Sequence, residues 1–113
     1  MTEGGDGGRC DEATVLAFTI LGKRWNGMIL NVLGARGLSF VALRRAVTGI
    51  SDAMLSDRLV ELAEAGLVER RVESGPPVSV TYTLTEAGCR LMPVLSELGR
   101  WAVENLSAPA TAR

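Results

Sequence analysis

Residues 51–66 read Ser51-Asp52-Ala53-Met54-Leu55-Ser56-Asp57-Arg58-Leu59-Val60-Glu61-Leu62-Ala63-Glu64-Ala65-Gly66. This stretch has a helix start, a helix stop and two unlike faces. Ser51 can cap the first free amides, and Gly66 stands where a left-handed C-terminal cap is wanted. Leu55, Leu59 and Leu62 recur at helical spacing and form a narrow apolar stripe. Asp52, Ala53, Ser56, Asp57 and Val60 lie on the other side, with nothing bulky among them. The leucines are expected to bury, and the other side to meet a partner.

What precedes and follows the stretch names that partner. Ser39 can cap a short helix, Phe40 to Val47, with Phe40, Leu43 and Val47 on one face and Arg44 and Arg45 beside it. Thr48-Gly49-Ile50 separates this helix from the longer one. A short helix, a three-residue turn containing glycine and a longer helix is the helix-turn-helix plan. After Gly66 the pattern changes to strand: Leu67 to Glu73, then Ser74-Gly75-Pro76-Pro77 as a loop, then Ser79 to Leu84 alternating small polar and apolar residues. Two strands around a loop, directly after a recognition helix, make a wing. Arg70 and Arg71 interrupt the alternation of the first strand and can serve phosphates.

Further out, Asp11 to Leu21 reads as a helix that is apolar nearly all the way round, with Thr14 and Thr19 its only wet residues. Such a helix needs cover on all sides, and a chain of 113 residues can hardly supply it. One side is expected to meet its own domain and the other a second subunit. Gly22-Lys23-Arg24 ends this helix, and a second runs from Trp25 to Leu33 with Trp25, Met28, Ile29, Val32 and Leu33 inward. Gly34 to Gly37 is a turn. Thr85 and Glu86 cap a final helix reaching about Leu106, with Leu91, Leu95, Leu98 and Ala102 on one face and Met92, Val94 and Trp101 widening it. Pro93 falls inside this helix and is expected to kink or split it.

The fold expected is therefore mainly α with a small β-wing: a winged helix-turn-helix with extra N- and C-terminal dimerisation helices. Residues 10–106 form the single domain, 1–9 a disordered tail and 107–113 a loose one. No apolar run reaches the ~20 residues of a membrane span, and no secretory signal pattern opens the chain, so a cytoplasmic protein is expected.

Composition narrows the function. The net charge is -1 and the isoelectric point about 5.4, against an indiscriminate nucleic-acid binder. From Lys23 to Arg58, however, Lys23, Arg24, Arg36, Arg44, Arg45 and Arg58 face only Asp52 and Asp57. A locally basic segment in an acidic chain suits a site that draws binding energy from phosphates without adhering everywhere. The chain has no histidine and two cysteines, Cys10 and Cys89. No nucleophile–base pairing or metal-ligand cluster follows, so neither an enzyme nor a cofactor is expected.

Several of these residues together resemble the HxlR-type branch of the MarR-like winged-helix regulators. Gly22-Lys23-Arg24-Trp25 with Met28-Ile29-Leu30 resembles the family's tryptophan-led second helix, and Phe40 to Arg45 its first helix-turn-helix element. Ile50-Ser51, Leu55-Ser56, Arg58-Leu59, Glu61-Leu62 and Gly66-Leu67-Val68 resemble the recognition helix and its exit. Pro76-Pro77, Val80, Tyr82, Leu84-Thr85 and Gly88 resemble the wing and the entry to the last helix. The match runs from Cys10 to Leu106. It departs in having Asp11 and Glu12 after the cysteine, where a proline is common, and Val78-Ser79 where the wing often carries a basic residue.

The resemblance implies a homodimer, built from the first and last helices, on a palindromic double-stranded DNA operator, usually as a repressor. Its DNA-facing residues would be Arg44, Arg45, Ser51, Asp52, Ala53, Ser56, Asp57, Arg58, Arg70 and Arg71. For Arg58 the competing reading is an ion pair with Glu61 or Glu64. Asp52 and Asp57 can accept from a cytosine amino group. Several relatives sense oxidants or electrophiles through a cysteine before the first helix, the position Cys10 occupies. Cys89 is either a resolving thiol or a filler. Control by a small ligand between the apolar terminal helices, and a winged-helix module that binds protein instead of DNA, are the alternatives.

Overall fold

The computed structural model describes residues 11–106. Cys10 and the tails expected at 1–9 and 107–113 lie outside them. Seven elements follow in order: α1 (Glu12–Leu21), α2 (Arg24–Leu33), α3 (Phe40–Ala46), α4 (Asp52–Glu64), β1 (Val68–Glu73), β2 (Ser79–Leu84) and α5 (Glu86–Asn105). Four helices start on a capping side chain: Asp11 accepts from the Thr14 amide, Ser39 from Ala42, Ser51 from Met54 and Thr85 from Gly88. Each satisfies an amide that the first helical turn leaves unpaired. α4 ends at Gly66 with φ +81°, a backbone that side chains other than glycine rarely adopt.

The core is aliphatic: Ile29, Leu30 and Leu33 of α2, Leu43 and Val47 of the α3 region, Ile50, then Leu55, Leu59 and Leu62 of α4, and Val68 at the root of β1. The leucine stripe of α4 is buried as expected, which fixes its opposite face outward. α2 is rotated from the expected orientation. Leu30 is buried and Met28 exposed, because the buried arc centres on Leu33 and includes Asn26, a polar residue with no exposed surface.

β1 and β2 pair antiparallel from Val68↔Leu84 to Glu73↔Ser79. A third short strand contact, unforeseen in the sequence, joins them. Leu38 and Tyr82 exchange backbone hydrogen bonds of 3.0 and 2.8 Å, so the turn before α3 is stitched to the wing. Gly37 makes this possible, since a Cβ there would lie 2.6 Å from the Thr83 methyl.

α5 remains one element through Pro93. The carbonyl that Pro93 leaves without its helical partner is that of Cys89, an exposed residue, so water can satisfy it and no break is required. Leu91, Met92 and Leu95 pack on the core, whereas Val94, Leu98 and Trp101 are more than half exposed. α1 has no buried residue at all: Val15, Leu16 and Phe18 are open, and only Ile20 and Leu21 reach the core. The terminal helices therefore extend a small core into a body of 58 × 34 × 24 Å.

Candidate nucleic-acid interface

Because Leu55, Leu59 and Leu62 anchor α4, its other residues are sorted by helical geometry. Ser51, Asp52, Ala53, Met54, Ser56, Asp57 and Val60 are exposed along its outer face. Met54 is an addition to the residues expected there. Ser51 is committed to its cap, its hydroxyl accepting from the Met54 amide at 3.1 Å. Asp52 pairs with Arg44 at 3.2 Å.

Arg44 and Arg45 occupy the last turn of α3, where the helix dipole favours cations. Arg44 is partly neutralised by Asp52, while Arg45 is exposed and makes no ion pair among the described residues. On the wing, alternation separates the two arginines. Arg70 joins Tyr82 in lining a shallow groove against Ser56, Leu59, Val60 and Ala63 of α4, so it flanks the outer face of the helix. Arg71 points to the other side of the sheet, 3.6 Å from Glu69. The structure thus brings Arg44 and Arg70 beside the exposed half of α4, leaves Arg45 exposed in the last turn of α3 and turns Arg71 to the other side of the wing.

Arg58 is drawn inward. Its side chain is 16% exposed, and Nη1 donates to Glu61 Oε1 at 2.6 Å. The ion pair with Glu61, one of the two readings open for this residue, is formed in the chain without DNA. Glu61 also accepts from Lys23 Nζ at 2.8 Å and from Asn26 Nδ2 at 3.1 Å, and Asn26 donates in addition to the Ile20 carbonyl at 3.0 Å. Hydrogen bonds from Lys23 first and Asn26 next hold the Glu61 carboxyl below its ordinary range against a smaller opposing effect of desolvation, and the Arg58 charge adds a lesser contribution. This cluster ties the end of α1 and the start of α2 to the recognition helix. Glu61 could be suspected from its spacing to Arg58. Asn26 could not, because its partner lies 35 positions away in the chain.

The basic segment is consequently less available than its residue count implies. Lys23 and Arg58 are occupied by Glu61, and Arg24 lies 4.7 Å over the Trp25 ring. Of the thiols, Cys89 is free and exposed on α5. Among the described residues there is no metal-ligand cluster, and no helix is long and apolar enough to cross a membrane.

Comparison with known proteins agrees with this geometry. The family described as HxlR-like helix-turn-helix matches residues 20–109. The chain is 45% identical over 86 residues to the HTH-type transcriptional regulator YodB of Bacillus subtilis, covering 76% of this chain and 77% of that protein. The structure of reduced YodB superposes with a TM-score of 0.81 at 39% identity, over 88% of this chain and 97% of the other. Diamide-treated YodB gives 0.74 at 39% identity, over 89% and 100%. The redox regulator HypR in its oxidised form gives 0.76 at 28% identity, over 85% and 99%. The small aliphatic core, the capped helix pair, the wing and these likenesses lead to one assignment: the chain belongs to the HxlR-like helix-turn-helix family of transcriptional regulators, a winged-helix family of DNA-binding proteins and not of enzymes.

Proposed function

We propose that the chain is a sequence-specific repressor that binds a palindromic operator as a homodimer, with α4 in the major groove. The observation that carries this reading is the outer face of α4: exposed, a mix of short polar and apolar side chains, backed by buried leucines, with Arg44 and Arg70 beside it and Arg45 exposed at the end of α3. Phosphate binding falls to those three arginines, and Ser51 to Val60 supply discrimination. Arg58 positions the helix through Glu61 and reaches DNA only if that pair opens. Asp57 is exposed and its carboxylate can accept from a base amino group. In a twofold dimer the two copies of α4 would enter successive major grooves ~34 Å apart.

Binding to the duplex upstream of the chain's own coding region, followed by fluorescence anisotropy over a salt series, tests this. Arg45→Ala should weaken binding to all sequences alike and lower the log–log salt slope by about 0.9 for each phosphate no longer neutralised. Arg58→Ala should leave that slope unchanged. Failure to bind a palindromic duplex at low salt would refute the reading in favour of a protein-binding module.

The signal we assign is oxidation or electrophile modification of Cys10. Support comes from its position directly before Asp11, the cap of α1, and from relatives whose structures are of reduced, diamide-treated and oxidised regulators. Diamide should release DNA from the wild type and not from Cys10→Ser. The second reading, a small ligand expected between the first and last helices, rests instead on a groove between α2 and α5 lined by Met28, Asn31, Leu95, Leu98, Gly99 and Ala102. Equal responses of wild type and Cys10→Ser would favour it.

A further inference from the structure

Read by chemistry, the exposed face of α4 is selective about which base edges it can meet. In the major groove, guanine offers two acceptors, adenine an acceptor and a donor, cytosine an amino donor, and thymine an acceptor and a C5 methyl. Bidentate reading of guanine wants arginine or lysine, and that of adenine wants asparagine or glutamine. Along α4 the only such side chain is Arg58, and Glu61 holds it against the protein. Ser51 is taken by its cap and Asp52 by Arg44.

Over residues 51–60, Ala53, Met54, Asp57 and Val60 then remain open, together with Ser56. Ala53, Asp57 and Val60 stand at i, i+4 and i+7, one line along the helix. Val60 is 56% exposed, an apolar side chain at the edge of the groove that Arg70 and Tyr82 line. A carboxylate opposite guanine would face two acceptors and be repelled; opposite adenine it would meet the N7 acceptor beside the amino group, and only opposite cytosine does it receive an amino group with no acceptor next to it. Ala53, Met54 and Val60 offer no hydrogen bond to any base but can cover a methyl.

We infer that α4 reads its half-site through the pyrimidines, Asp57 accepting from a cytosine amino group while Ala53 and Val60 pack on thymine C5 methyls. This rests on α4 being the DNA-reading helix and specifies what it reads.

The test starts from a duplex selected by the full-length chain from a randomised library. Each half-site thymine is then replaced singly by deoxyuridine, which removes only the methyl. Binding should weaken about fourfold at each contacted position, the worth of one buried methyl group. Val60→Ala should lower affinity for the thymine duplex and abolish the deoxyuridine effect at one position, a coupling that separates direct contact from altered DNA stiffness. Val60 is exposed, so the variant folds. Uniform tolerance of deoxyuridine in a duplex that is still bound specifically would overturn the inference alone. So would a methyl dependence unchanged in Val60→Ala. Selection of no duplex at all would overturn the DNA-binding reading and this inference with it.

Discussion

Glu61 accepts hydrogen bonds from Lys23, Asn26 and Arg58, donors that come from the α1–α2 turn, α2 and α4 itself. A carboxylate so placed is easier to ionise in the folded chain than in the unfolded one, and its pKa is lowered from 4.5. The stabilisation it gives is complete above that ordinary value and disappears as pH falls through the lower native one. Glu61→Gln should therefore flatten the acid limb of the stability curve, measured by urea unfolding between roughly pH 5 and pH 2. An acid limb identical to the wild type would show that the three donors do not act on this carboxyl. Asn26 is fully buried and satisfies both Glu61 and the Ile20 carbonyl. Asn26→Ala should cost about 1–3 kcal/mol by the same assay, since it strands buried polar groups. Residues of this kind escape a sequence reading: Asn26 has one partner, the Ile20 carbonyl, in the preceding helix and the other, Glu61, 35 positions away.

At the scale of elements, the wing and the last helix are held by close backbone approaches. Thr85 donates its hydroxyl to the Gly66 carbonyl at 2.6 Å and its amide to the Leu67 carbonyl at 3.0 Å, so α5 begins against the exit of α4. A Cβ on Gly88 would lie 2.3 Å from the Leu67 carbonyl oxygen, a backbone atom that cannot turn aside. Gly88→Ala should destabilise by about 1–3 kcal/mol, the usual cost of overpacking, read from denaturant midpoints. Gly99→Ala serves as control, because nothing lies within 4 Å of a Cβ there. Equal stability of Gly88→Ala and wild type would mean that α5 can slide away from β1. The helices, their caps and the β1–β2 hairpin were legible from local pattern. The Leu38–Tyr82 bridge was not, because one residue of a strand carries no periodicity.

For the whole molecule, the radius of gyration is 16.4 Å, where a compact chain of this length measures about 13 Å. The excess reflects helices whose apolar residues find no cover within one copy: Phe18 is 59% and Trp101 51% exposed. On the proposed homodimer, Phe18→Glu or Trp101→Glu should yield a monomer by light scattering. Operator affinity should then fall by about 10²–10⁴, the avidity that disappears when two linked half-sites are bound independently. Either variant remaining dimeric would exclude these residues from the interface.

The sequence by itself determined the order of helices and wing, the leucine stripe that buries one side of α4, and the near-absence of wet residues on α1. These are properties of spacing, capping and hydropathy, which act between near neighbours. Tertiary structure alone decided which arginines are available. Lys23 is engaged by Glu61, Arg44 is drawn to Asp52, Arg70 lies along α4, and Arg71 faces away from it. The reason is that a charge is spent or free according to what lies a few ångströms away. For Glu61 one neighbour, Arg58, is local to α4, while Lys23 and Asn26 come from α2 and the turn before it, brought close only once the core has formed.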